Sequence, residues 1–120
     1  MARKLQMVDR SSTEDKKELF VLTHQINTGK VSDYDGQILT PAAWALVTEY
    51  DSIDPDTGET IGAKKALVIK LDDGAVIGTI SGVFIPQFLD MVDTFGPLTS
   101  FSVESGTTKA GRTFIYPMPV

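Results

Sequence analysis

Between Phe84 and Phe95 the apolar residues of this chain change period. Phe84, Ile85, Phe88, Leu89, Val92 and Phe95 recur at the three- and four-residue spacing of a helix face. Pro86 falls in the first turn of that helix, where its missing N–H does no harm. Gly96-Pro97 ends it, since Gly accepts a positive φ and Pro cannot continue the spiral. Everywhere else the apolar stretches are short and bounded by turn signals, as strands are. One helix set among short strands is therefore the pattern any fold must satisfy.

The strands are read at residues 18–26, 43–53, 66–71, 75–81, 99–104 and 112–118. Pro41 stands just before the second, where an absent N–H costs least. Asp54-Pro55-Asp56-Thr57-Gly58 is a strong turn, and Asp72-Asp73-Gly74 marks a hairpin. Ser105-Gly106-Thr107-Thr108-Lys109-Ala110-Gly111 joins the last two strands. Residues 1–17 are polar, without a sustained period, and read as a flexible N-terminal arm or, equally, a short helix; residues 18–120 are read as a single OB-like domain. The order predicts an all-β domain with one helix, a five-stranded OB-type barrel with its helix between the third and fourth barrel strands. The competing topology is an α+β sheet with one helix.

A chain of 120 residues, 42% of them hydrophobic, supports one core and not two. The absence of cysteine rules out disulfides and Cys-ligated zinc. The first seven residues, MARKLQM, lack the apolar core of a secretory signal, and no apolar run reaches membrane-spanning length. A cytoplasmic protein with no membrane partner is the expectation. The net charge of −5 and pI near 4.7 run against nucleic-acid binding by composition alone. Phosphates respond to the local field, however, so the distribution of charge weighs more than its sum, although composition alone favours a well-mixed soluble surface. Lys64, Lys65, Lys70, Lys109 and Arg112 lie in or beside strands and turns, whereas Asp51, Asp54, Asp56 and Glu59 cluster elsewhere.

No set of residues points to catalysis. The segment GTTKAGRT at 106–113 resembles a phosphate-binding loop with Arg in place of the required Lys, but a strand follows it where a helix is needed. Asp54-Pro55-Asp56-Thr57-Gly58-Glu59 looks like half a calcium loop without its terminal Glu, and reads better as a polar turn. His24 is the only histidine, too little for a transition-metal site or a catalytic triad. Asp72 and Asp73 are explained by their turn. The chain is read as a non-enzyme with neither metal nor cofactor.

Aromatic residues carry the remaining chemistry. On a strand Trp44, Leu46, Thr48 and Tyr50 share one face and Ala43, Ala45, Val47 and Glu49 the other. Phe20, Leu22 and His24 would share a face of the first strand, and Arg112, Phe114 and Tyr116 a face of the last. Phe84, Phe88, Phe95 and Phe101 read as core. Tyr34, Tyr50 and Tyr116 suit the surface, where a phenol keeps its tip wet. Trp44 fits core and platform equally. Binders of single-stranded nucleic acid combine such platforms with cations along the backbone. The candidate set is Tyr50, Trp44, Tyr34, Lys64, Lys65, Lys70, Lys109, Arg112 and Tyr116.

Three segments carry a family likeness: the Tyr50 strand running into the Asp54 turn, LDDGAVIGTIS at 71–81 leading into the helix, and TSFSVESGTTKAGRTF at 99–114. In their order and spacing the chain resembles the small OB-fold single-stranded DNA-binding proteins of protein-primed tailed phages of Gram-positive bacteria, and related proteins of conjugative elements. The resemblance covers about the last two thirds of the chain. It implies cooperative, largely sequence-independent coating of displaced strands during replication, with Tyr50 as a stacking residue. Single-stranded DNA and further copies of the chain are the implied partners. The alternative is a structural or adaptor protein that binds another protein, favoured by the acidic balance and the apolar segment IYPMPV at 115–120.

Overall fold

The computed structural model describes residues 5–24 and 29–120. Their elements in chain order are β1 (Leu5–Ser11), α1 (Lys16–Thr23), β2 (Gly29–Lys30), a 3-10 turn (Val31–Tyr34), β3 (Ile38–Leu39), β4 (Pro41–Tyr50), β5 (Ser52–Ile53), β6 (Thr60–Ile61), β7 (Lys64–Leu71), β8 (Val76–Thr79), α2 (Phe84–Phe95), β9 (Phe101–Thr107) and β10 (Thr113–Pro119). The strands form a five-stranded sheet in the order β1-β4-β7-β8-β2, a three-stranded sheet in the order β10-β9-β3, and the separate ribbon β5-β6. The described part is thus mostly β with two α-helices. Its ladders do not close into one barrel, and the α+β alternative is compatible with them.

The turn chemistry is as expected. Gly58, Gly74 and Gly96 all take positive φ, at 73°, 92° and 123°. Asp73 accepts a hydrogen bond from the Ala75 N–H within the β7–β8 hairpin. At the start of α2, the Ser81 hydroxyl accepts from the N–H of Phe84 at 3.0 Å, supplying a cap that Val83 cannot. Thr40 is the corner where the chain leaves the three-stranded sheet for the five-stranded one, and a register shift between Pro41 and Ala43 accommodates the bend.

Two expectations fail at the N-terminus. Residues 5–11 are not an arm: they form β1, which pairs antiparallel with β4 from Leu5↔Tyr50 to Ser11↔Ala45. Residues 18–24 are not a strand: they belong to α1 and its cap, while Gln25 and Ile26 lie outside the described residues. The physical reason is local. The Asp15 carboxylate accepts from the N–H groups of Lys17 and Glu18, two of the donors a helix start leaves unsatisfied. Leu19 and Leu22 then fall on one helical face, and Phe20 stacks on His24 one turn later at 4.0 Å. Phe20 and His24 are exposed while Leu22 is buried, so these three do not share a face.

The core follows from β4, which β1 and β7 flank and whose two faces are both covered. Trp44 and Leu46 join Leu67, Ile69, Ile77, Phe84, Phe88 and Phe101 in the main core, among the five-stranded sheet, α2 and the three-stranded sheet. Ala43, Ala45 and Val47 form a second cluster with Leu22, beneath α1. The small side chains let the helix sit close. Phe95 departs from expectation: it ends α2 beyond the reach of the core and is 64% exposed.

If α1 is docked in this way, Leu22→Ala empties a fully buried site. Denaturant unfolding should show a loss of about 2 kcal/mol or more. An unchanged midpoint would mean the helix contributes nothing to the folded state.

Candidate nucleic-acid interface

The nine candidate residues do not converge on one surface. Trp44 is excluded as a stacking platform. It is 1% exposed, meets Phe88 edge-on at 5.5 Å, and donates its indole N–H to the Pro97 carbonyl at 2.7 Å. A ring held by packing on its faces and a hydrogen bond at its edge has no surface left for a base. Tyr34 is half-buried against the main core at the end of the 3-10 turn. Tyr50 is half-buried at the last position of β4, opposite Leu5. Lys64 and Lys70 share one face of β7 with Ala66 and Val68, on the α1 side of the sheet. Lys65 points to the opposite face.

Lys65 is also engaged. Its ammonium donates to the Asp9 carboxylate at 2.8 Å and to the Thr48 hydroxyl at 3.2 Å, and Thr48 in turn donates to Asp9. Asp9 is the extra residue where the β1–β4 register shifts, which turns it toward this pair. Burial alone would raise the Asp9 carboxyl, but the hydrogen bonds from Lys65 and Thr48 and the Lys65 charge outweigh it. Asp9 is held below the ordinary carboxylate value. The group ties an edge strand to the sheet and leaves Lys65 poorly placed to hold a phosphate.

The remaining three, Lys109, Arg112 and Tyr116, are brought together by the β9–β10 hairpin. Its strands pair without a break from Phe101↔Pro119 to Thr107↔Thr113. The tip is closed by the Thr108 N–H donating to the Arg112 carbonyl at 2.8 Å and by Gly111 at φ 84°. Lys109 and Arg112 are exposed there and form no ion pair among the described residues. Ile115 and Pro117 turn inward toward the core, so Phe114, Tyr116 and Met118 face outward. The hairpin continues past the expected end of its first strand, which carries Gly106 into the ladder opposite Phe114.

That pairing builds the platform. A Cβ on Gly106 would stand 2.7 Å from the Phe114 Cζ, so the ring lies directly over the glycine backbone. The Phe114 and Tyr116 centroids are 6.0 Å apart with their planes tilted by 36°. Two half-exposed rings therefore stand side by side on one sheet face, on the strand that leads away from the Lys109–Arg112 tip. Phe114 shared the predicted face of Arg112 and Tyr116 but was not among the candidates. Its signal was the glycine that the strand register sets across from it.

The second half of the hairpin carries cations alone, while the Asp35 carboxylate accepts from the Ser105 hydroxyl at 3.0 Å. Residues 105–120 contain Lys109 and Arg112 and no acid. The nearest carboxylate on this face is Glu104, the cross-strand neighbour of Tyr116, which accepts from the Ser102 hydroxyl at 2.9 Å. Among the described residues no helix is long and apolar enough to cross a membrane, and no group of acids and histidines is arranged to hold a metal. No family model, curated protein or solved structure matches this chain.

The Asp9 group generates a pH prediction. A carboxyl held below its unfolded value stabilises the fold above that value, and the contribution is lost as pH falls through the folded one. Asp9→Asn should lower stability at neutral pH by less than about 1 kcal/mol, since Lys65 is largely exposed. Denaturant midpoints of the two proteins should converge in acid, below the usual carboxylate pKa of about 3.9. A gap that stays constant with pH would contradict the charge pairing.

Proposed function

We propose that the protein is a non-catalytic binder of single-stranded DNA whose contact surface is the outer face of the β9–β10 hairpin. The observation that carries this reading is the Phe114–Tyr116 pair, with Phe114 seated over Gly106, on a hairpin whose tip carries Lys109 and Arg112, neither ion-paired among the described residues. Bases stack on the rings while phosphates meet the hairpin tip. Each stacked base contributes roughly 1–3 kcal/mol and is tolerated whatever its sequence.

The resemblance to OB-fold proteins of phages and conjugative elements supports the same reading. So does the order of elements, with α2 set between the β7–β8 hairpin and the β9–β10 hairpin. Replication of such an element, in the cytoplasm of its host, is the setting we propose. The negative net charge is compatible with it because residues 105–120 contain no acid, and four of the sixteen acids sit together between Asp51 and Glu59.

One observation favours the protein-binding alternative. Ile38 pairs with Ser102, which pairs with Met118, so two exposed apolar residues continue the aromatic row across the same face. An apolar strip of this kind also suits a protein partner. Salt separates the readings, since apolar contacts do not weaken with ionic strength as phosphate contacts do.

Titration with oligo-dT should show affinity falling as salt rises, with a log–log slope near −0.7 for each phosphate neutralised. Phe114→Ala and Tyr116→Ala should each weaken binding by about 1–3 kcal/mol with little change in melting temperature. Lys109→Ala with Arg112→Ala should make the slope shallower by about 0.7 for each phosphate no longer neutralised. Failure of the wild-type protein to retain oligo-dT at low salt would remove the DNA reading and leave the protein-binding one.

A separate test bears on preorganisation. Gly106→Val places its side chain where the Phe114 ring lies and must displace it. Oligonucleotide affinity should drop about as far as in Phe114→Ala, although residue 106 need not touch DNA.

A further inference from the structure

Three exposed isoleucines lie at one end of the five-stranded sheet, Ile80 just after β8 and Ile53 and Ile61 on the ribbon β5–β6. Ile80 follows β8 and is 71% exposed. Strand β2 covers the edge of β8 only at Gly29↔Ile77 and Lys30↔Gly78, so on that edge Thr79 and Ile80 run on past β2, Thr79 still paired with Leu67 on the other side. A groove of about 320 Å³ opens on one side of Ile80, lined by Lys64, Lys65, Ile85 and Pro86. Another of about 420 Å³ opens on the other side, lined by Lys30, Val31 and Gly78. The site is an apolar trough with lysines on its rim. Lys64 faces Glu49 across the ladder but is not ion-paired with it, and Lys30 has no ion pair among the described residues.

The ribbon β5–β6 has the complementary character. It leaves the sheet after Tyr50, returns at Lys64, and among the described residues is hydrogen-bonded to no other strand. Ile53 and Ile61 are 51% and 50% exposed. The register pairs Ile53 with Thr60 and Ile61 with Ser52, which puts the two isoleucines on opposite faces. Asp51 lies on the face of Ile53, and Asp54, Asp56 and Glu59 form the turn beyond it. None of these acids is ion-paired among the described residues.

We infer that the acidic ribbon of one copy docks in the lysine-rimmed Ile80 trough of a second copy. Ile53 meets Ile80, and the acids of the ribbon face Lys64 and Lys30. Both halves lie at the same end of the sheet: the ribbon ends where β7 begins, and the register Leu67↔Thr79 brings the end of β8 alongside. Two copies related by a two-fold axis can therefore exchange ribbons, making the contact twice and closing the assembly as a dimer. Charge complementarity selects this occupant over an apolar partner without acids.

The test uses the full chain without DNA, so its failure leaves the proposed function untouched. Sedimentation equilibrium at roughly 0.1 mM, where a contact of that dissociation constant is half formed, should show a dimer at low salt. The dimer should dissociate toward about 0.5 M salt, where charges are screened within a few Å. Ile80→Asp should give a monomer with an unchanged melting temperature, because the side chain is exposed. Ile53→Ser should weaken association and Ile61→Ser should not. Lys64→Glu and Asp56→Lys should each weaken it about tenfold, and the two together should restore it. A wild-type protein that is monomeric at low salt overturns the inference, even if it captures an acidic apolar peptide. So does a dimer indifferent to both Ile80→Asp and Lys64→Glu.

Discussion

Strand β4 is buried on both faces, and the rest of the molecule is arranged to cover it. On one side Trp44 and Leu46 need a deep apolar layer, which α2 and the three-stranded sheet supply. On the other, Ala43 and Ala45 leave a shallow surface that only a closely seated element can seal, and α1 does so through Leu22. The buried indole N–H needs an acceptor, which the Pro97 carbonyl provides just after α2. That bond ties the loop following the helix to the central strand. Arg10 adds a second tie from β1, lying 5.6 Å from the Trp44 ring centroid and hydrogen-bonding Asp93 of α2. Asp93 is thereby held below the usual carboxylate range.

The candidate interface exists because the chain changes sheets at Thr40. Strand β3 stays with β9 and β10, while β4 joins the larger sheet. The small sheet then has one face in the core, through Leu39, Phe101 and Val103, and one face in solvent. Had all the strands joined a single layer, an element would be needed to cover each side. The free face is where alternation places Phe114, Tyr116 and Met118. Gly106 is the one residue on the neighbouring strand small enough to let an aromatic ring lie flat across it.

The charge distribution follows the same division. The acids between Asp51 and Glu59 are carried on a ribbon that belongs to neither sheet, and residues 105–120 are free of acids. A net charge describes the far field, whereas a phosphate at the hairpin tip responds to charges within about 10 Å at moderate salt. A protein of pI near 4.7 can thus carry a hairpin tip whose charged residues are both cations, Lys109 and Arg112.

What could be read from the sequence was whatever neighbouring residues decide among themselves. The hairpin at Asp72-Asp73-Gly74, the turn ending at Gly58, the helix from Phe84 and its stop at Gly96 all depend on local backbone preferences, and all stand where the residues put them. Alternation likewise sorted the β4 side chains into two faces and set Phe114 and Tyr116 on one face of the last strand, with Arg112 left in the loop before it. Tertiary structure decided the rest. A short apolar run such as Leu19–Leu22 suits a buried strand and a docked helix alike; the Asp15 cap and the alanine floor of β4 resolved it as helix. Residues 5–11 became a strand because β4 had an open edge, a fact absent from their own polar pattern. Alternation assigns a side chain to a face but does not say what covers that face. For that reason Trp44 proved to be core, the lysines of β7 were divided between two sides, and Phe114 became a platform only when the ladder set a glycine beneath it.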